Sequence, residues 1–132
     1  MIATLVLPKA LRDQIAREAL AAHPAECCGL IEGTYIGDAV RAARCHPTKN
    51  LAAEADRFEI DPAQHIALLR TLRGTPTSIV GCYHSHPNGR AQPSPRDLMS
   101  AVDDDFLWLI AAEAGLAAFV HSGGAFHPVR LA

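Results

Sequence analysis

An apolar run, Ser78-Ile79-Val80-Gly81-Cys82-Tyr83, leads without a break into His84-Ser85-His86-Pro87. Nothing else in the chain constrains it as much. β-Branched and aromatic residues at this density make a strand, and that strand must deliver two imidazoles at its end. Residues i and i+2 of a strand point to one face, about 7 Å apart along the chain. His84 and His86 can therefore converge on one ion while Ser85 faces the other way. Asp97 follows eleven residues after His86, in Ser94-Pro95-Arg96-Asp97. The intervening segment holds enough Pro, Gly and Asn to fold back on the strand. Two His and one carboxylate suit a zinc ion held by three protein ligands, with a fourth position left open for chemistry.

Further residues bear on this site. Glu26 enters an apolar, small-residue run, Pro24-Ala25-Glu26-Cys27-Cys28-Gly29-Leu30-Ile31. A buried carboxylate is costly unless it is paired or functional. Glu26 is therefore either a surface carboxylate at a strand start or a working group. Ser94 has two readings as well: a hydroxyl donor to a developing oxyanion, or a helix N-cap that accepts from the backbone near Asp97. Asp97 would then lie in the first helical turn, where the helix dipole favours its ionised form. Cys82 shares the strand face of His84 and His86. It is either a fourth ligand, which would close the ion to water, or a small buried hydrophobe beneath the site. His23, His46, His65, His121 and His127 match no ligand spacing and read as surface or structural. Asp103-Asp104-Asp105 reads as a solvated turn.

Along the chain, periods of two and 3.6 residues alternate. Residues 3–7 predict a short strand. Pro8 opens a helix to about His23 that carries Leu11, Ile15, Ala19 and Ala22 on one face. Two strands follow, 27–32 and 39–45, joined across 33–38, and then a polar loop, 46–57. Asp61-Pro62-Ala63-Gln64 is a helix start, and that helix stops at Gly74. Beyond the 78–84 strand, Pro95 begins a helix to about Val102, and strands cover 106–112, 116–121 and 125–131. This is a mixed α/β (α+β) pattern around one central sheet. With 132 residues, 49 % of them hydrophobic, there is material for one core and one domain over residues 1–132. A net charge of −2 provides no basic stripe for nucleic acid or an anionic membrane. No apolar run is long enough to span a bilayer, and the first residues lack a signal-peptide pattern. Four cysteines without a CxxC pair suit a reducing cytoplasm.

Taken together, Glu26, His84, His86, Ser94 and Asp97 resemble the signature of the JAMM (MPN-plus) metallopeptidases. That signature is an upstream Glu, then H-x-H, ten residues and Asp, with Ser three residues before the Asp. Here Pro87 to Arg96 are the ten. The flanking segments Glu26-Cys27-Cys28-Gly29-Leu30, Asn50 and Arg57-Phe58-Glu59-Ile60-Asp61-Pro62 are similar to the compact prokaryotic branch. The resemblance runs from about residue 3 to residue 131, and no catalytic position departs from it.

The resemblance implies a curved mixed sheet flanked by helices, similar to the cytidine deaminase fold. A deaminase activity itself is disfavoured, because the H-x-E and P-C-x-x-C ligands are absent. It implies zinc on His84, His86 and Asp97, with Glu26 as general base and Ser94 as oxyanion donor. It also implies hydrolysis after the C-terminal Gly-Gly of a ubiquitin-like protein. For this short form, without the insertions of eukaryotic deubiquitinases, the implied partner is a ubiquitin-like sulfur-carrier protein. Three other readings are weighed against it: a mononuclear non-haem iron enzyme, which would give Glu26 and Ser94 no role; a non-catalytic scaffold that binds ubiquitin-like proteins, disfavoured by the intact five-residue set; and a DNA-repair branch, disfavoured by the absent basic surface.

Overall fold

A computed structural model of the chain describes residues 1–87 and 89–132. It contains β1 (Thr4–Val6), α1 (Lys9–Ala22), β2 (Cys28–Ile36), β3 (Ala39–Thr48), α2 (Pro62–Leu72), β4 (Ser78–His86), α3 (Pro95–Ser100), β5 (Phe106–Ala112), β6 (Gly115–Ser122) and β7 (Ala125–Leu131). The fold is mixed α/β, with strand order β1-β3-β2-β4-β5-β6-β7. The β1–β3, β1–β7 and β4–β5 pairs are parallel, and the others are antiparallel. Curvature is strong enough that β1 bonds to both β3 and β7, so the sheet closes on itself. Arg12 ties α1 to that seam, donating Nε to the Leu7 carbonyl at 2.8 Å and Nη2 to the Ala132 carbonyl at 2.8 Å.

Several boundaries differ from the sequence reading. β2 runs on to Ile36 and turns only at Gly37, whose φ of 61° suits the turn. The register shift at Glu32/Gly33 absorbs the glycine within the strand. β3 continues through Thr48, since Cys28 pairs with Thr48, so the polar loop starts later than His46. α3 stops at Ser100, two residues early. Asp61 caps α2 as its sequence predicts, accepting from the Ala63 N–H at 2.9 Å.

Two apolar clusters sit on the two faces of the sheet. Under α1 lie Leu5, Leu7, Ile15, Ile31, Val40, Val80, Tyr83, Leu107 and Leu109. Tyr83 is fully buried and donates to Glu18 Oε1 at 2.6 Å. Its ring occupies the space that a Cβ on Gly29 would need, 2.3 Å from that position, so residue 29 must lack a side chain. The second cluster, on the opposite face, holds Leu30, Cys82 and Trp108, with Phe58, Ile60, Leu68 and Ile79 packed on it. That face carries the ends of β4 where the histidines emerge. Among the described residues no helix is long and apolar enough to cross a membrane.

Candidate active site

Strand alternation places His84 and His86 together at the end of β4, with Ser85 on the far side. Ser85 accepts from the Cys27 N–H at 2.8 Å and donates its own N–H to the Cys27 carbonyl at 3.1 Å, stitching β4 to the residue after Glu26. The two Nε2 atoms lie 2.8 Å apart. Asp97 reaches them from α3, with Oδ1 3.2 Å from His84 Nε2 and Oδ2 3.2 Å from His86 Nε2. A tetrahedral ion with bonds of about 2.0–2.1 Å holds its ligands about 3.3 Å apart. Three donors of suitable chemistry thus face one point at nearly that spacing. Glu26 also offers an oxygen within 4.8 Å of donor atoms of both imidazoles. Asp97 is the closer carboxylate.

The surroundings hold each ring. His86 Nδ1 lies 3.0 Å from the Arg90 carbonyl, which can only accept, so Nδ1 carries a hydrogen and Nε2 is the atom turned toward Asp97. His84 is fully buried, stacked on Phe58 at 4.2 Å and 18° and edge-on to Trp108 at 5.8 Å. Cys82, beneath His84, packs with Leu30 and Trp108. Burial pushes its thiol far up, so it stays neutral, whereas the thiolate is the ligand form.

Electrostatics divide the carboxylates. Burial works against ionised Asp97, but the hydrogen bonds with His84 and His86 win and hold its carboxyl well below the usual range. Glu26 shows the reverse. Burial raises it to about 7, against the opposing pull of His86 and with Asp97 and Asp56 adding to the rise. Its Oε1 is buried with no hydrogen-bond partner among the described residues. For His84, burial lowers the pKa and keeps the ring neutral. For His86, burial is outweighed by the bond with Asp97 and the pKa rises.

Ser94 forms a capping box with Asp97, accepting from its N–H at 3.1 Å while the Ser94 N–H donates to Asp97 Oδ2 at 2.8 Å. The cap uses only a lone pair, so the hydroxyl hydrogen remains free to donate. Ser94 and Glu26 together line two cavities that flank the site. One, about 380 Å³, continues to Arg57, Phe58 and Met99. The other, about 300 Å³, runs past Pro24, Ala55, His86 and Gly89. A larger groove of about 510 Å³ lies between α1 and the β5–β6 turn and meets this region only at Ser85, His86 and Pro87. Within the Pro87 to Arg96 stretch that joins His86 to Asp97, Asn88 falls outside the described residues. Of the remaining five histidines three are engaged elsewhere: His46 with Glu32 at 2.8 Å, His121 with the Asp103 carbonyl at 3.0 Å and His127 with the Ser122 carbonyl at 3.1 Å. Sequence reasoning missed the aromatic wall of Phe58 and Trp108. Its one signal was Phe58 inside Arg57-Phe58-Glu59-Ile60-Asp61-Pro62, a flanking segment of the family resemblance.

This fold and this cluster define a JAB/MPN-type domain. The family model described as prokaryotic homologs of the JAB domain matches residues 8–122, and the chain belongs to that JAMM/MPN family. Among its relatives, a desampylase of Haloferax volcanii is 35 % identical over 127 residues, 92 % of this chain and 90 % of the relative. A probable TtuB-protein conjugate cleaving protease of Thermus thermophilus is 32 % identical over 98 residues, 74 % of this chain and 63 % of the relative. The solution structure of protein DSY2949 from Desulfitobacterium hafniense superposes with a TM-score of 0.88 at 26 % identity, covering 98 % of this chain and 92 % of that one.

Proposed function

We propose that residues 1–132 form one zinc-dependent peptidase domain that hydrolyses the bond after the C-terminal Gly-Gly of a ubiquitin-like protein, with a sulfur-carrier protein as substrate. The observation that carries this reading is the meeting of His84, His86 and Asp97 at one point, with the unpartnered buried carboxylate of Glu26 beside them. Relatives that include a conjugate-cleaving protease support the reaction class. Four buried, unbonded cysteines support a cytoplasmic setting.

His84, His86 and Asp97 would hold the metal. Bound zinc supplies Lewis acidity and lowers the pKa of water to about 7. Glu26 takes the proton of the attacking water and returns it to the leaving amine. Ser94 uses its free hydroxyl hydrogen on the oxyanion. Ionised Asp97 and neutral His84 are in the charge states that suit ligation. The cavities on either side of Glu26 and Ser94 would take an extended tail, with residues 55–57 of the Asn50 loop and Gly89 as walls. Glycines fit because they carry no side chain and tolerate close backbone approach.

The test is a sulfur-carrier protein extended past its Gly-Gly, incubated with zinc-loaded enzyme and read by product mass. Cleavage immediately after Gly-Gly is the expected result. Equal rates when the penultimate Gly is replaced by a bulky residue would refute the narrow-channel account. Iron rather than zinc in protein purified without added metal would favour the oxygenase reading.

A further inference from the structure

We infer that Asn50 is the positioning residue that aims Glu26; the inference rests on the reading of Glu26 as the base. The Glu26 side chain cannot hold itself in place, because its Oε1 has no hydrogen-bond partner among the described residues. Its backbone must do so. On the C-terminal side, Cys27 is stitched to Ser85 through two hydrogen bonds. On Glu26 itself, the carbonyl accepts from Asn50 Nδ2 at 3.0 Å.

Asn50 spends its whole hydrogen-bonding capacity on this task. Its second Nδ2 hydrogen goes to the Arg57 carbonyl at 3.0 Å. Its Oδ1 accepts from the Ala52 N–H at 2.9 Å and the Glu59 N–H at 3.0 Å. Two carbonyls on one end and two N–H groups on the other permit only one orientation of the amide. An isolated bridge between Asn50 and Ile60 adds a backbone tie. The amide therefore joins the Glu26 peptide to the 50–59 loop, at the Ala52 N–H and at the Arg57 carbonyl and Glu59 N–H that flank Phe58, which stacks on His84. Asp, Ser, Thr and His each lack either the two donors or the two acceptors in this arrangement. A base displaced by about 1 Å can lose about 10²-fold in rate, so this amide is where the structure controls the proton transfer without touching the substrate.

The experiment is a double-mutant cycle on the zinc-loaded enzyme. Asn50→Ala and Asn50→Asp are made in the native chain and in Glu26→Gln. Asn50→Asp keeps the acceptors for Ala52 and Glu59 and loses both donated bonds, to the Glu26 and Arg57 carbonyls. Turnover, KM, zinc content and thermal midpoint are recorded for each. Each Asn50 substitution should lower kcat by about tenfold or more in the native background and by less than about twofold in the Glu26→Gln background, since effects that act through one group do not add. Zinc content should stay at one per chain. A role confined to stability would reduce turnover by the same factor in both backgrounds, and this equality would overturn the inference. So would a change confined to KM, which would make Asn50 a substrate wall, or failure of both Asn50 variants to fold. Unchanged turnover in Glu26→Gln alone would instead remove the reading of Glu26 as the base.

Discussion

Glu26→Gln separates the energetics of the site from its chemistry. The native carboxyl is raised from 4.5 to about 7, chiefly by burial. At about 1.4 kcal/mol per pH unit, that rise corresponds to about 3 kcal/mol. The sign follows from proton counting. Between pH 4.5 and 7 the folded metal-free protein holds a proton on Glu26 that the unfolded chain has released. Stability from this group is therefore complete below pH 4.5 and is lost as pH rises through 7. Glutamine keeps the shape of the protonated acid and cannot ionise. In chelator-treated protein, Glu26→Gln should thus match the native chain near pH 4.5 and exceed it by up to about 3 kcal/mol at pH 8. Titrating groups away from the site are common to both chains and cancel in the difference, whereas His86 loses the upward pull of the Glu26 charge in the variant. The assay is urea unfolding of both proteins at pH 4.5, 6, 7 and 8 with EDTA present. With zinc restored the gap should shrink, because a nearby cation favours the carboxylate. Turnover of the zinc-loaded variant should fall by about 10²–10⁴-fold. A difference in stability that does not depend on pH would refute the argument that burial holds the Glu26 proton, and near-native turnover would make the residue a bystander.

Three other outcomes follow from the geometry. His86→Ala removes the donor at the centre of the 2.8 and 3.2 Å contacts and should abolish tight zinc binding, read as metal content after dialysis. Ser94→Ala should lower kcat by on the order of 10²-fold if the hydroxyl donates to the oxyanion, whereas loss of the cap alone should cost about 1 kcal/mol in the unfolding midpoint; measuring both separates the roles. Gly29→Ala drives a methyl into the Tyr83 ring and should destabilise by about 1–3 kcal/mol, with the hydrogen bond between Tyr83 and Glu18 lost; an unchanged midpoint would contradict the close packing.

The sequence by itself determined the elements whose cause is local. Runs bounded by the turn residues Gly115 and Gly123-Gly124 set strands 106–112 and 125–131 to the residue, and Asp61-Pro62 set the start of α2, because turn chemistry and capping act over a few positions. The H-x-H pair was legible for an equally local reason: both rings leave one strand on one face. The chemistry of Asp97, Ser94 and Glu26 was visible only as residue type at a known spacing. Tertiary structure decided the rest. It closed the sheet through β1, a three-residue strand whose partners lie 35 and 126 positions away. It also set Phe58 and Trp108 around His84 and bound Asn50 to the Glu26 carbonyl across 24 residues. The opposite pKa directions of Glu26 and Asp97 were decided there too. Both are carboxyls buried to a similar degree, and only the neighbours brought by folding differ, two imidazoles bonded to one and none to the other. Local pattern governs what a residue can be, while desolvation and long-range contacts govern what it does, and these exist only once the chain has closed.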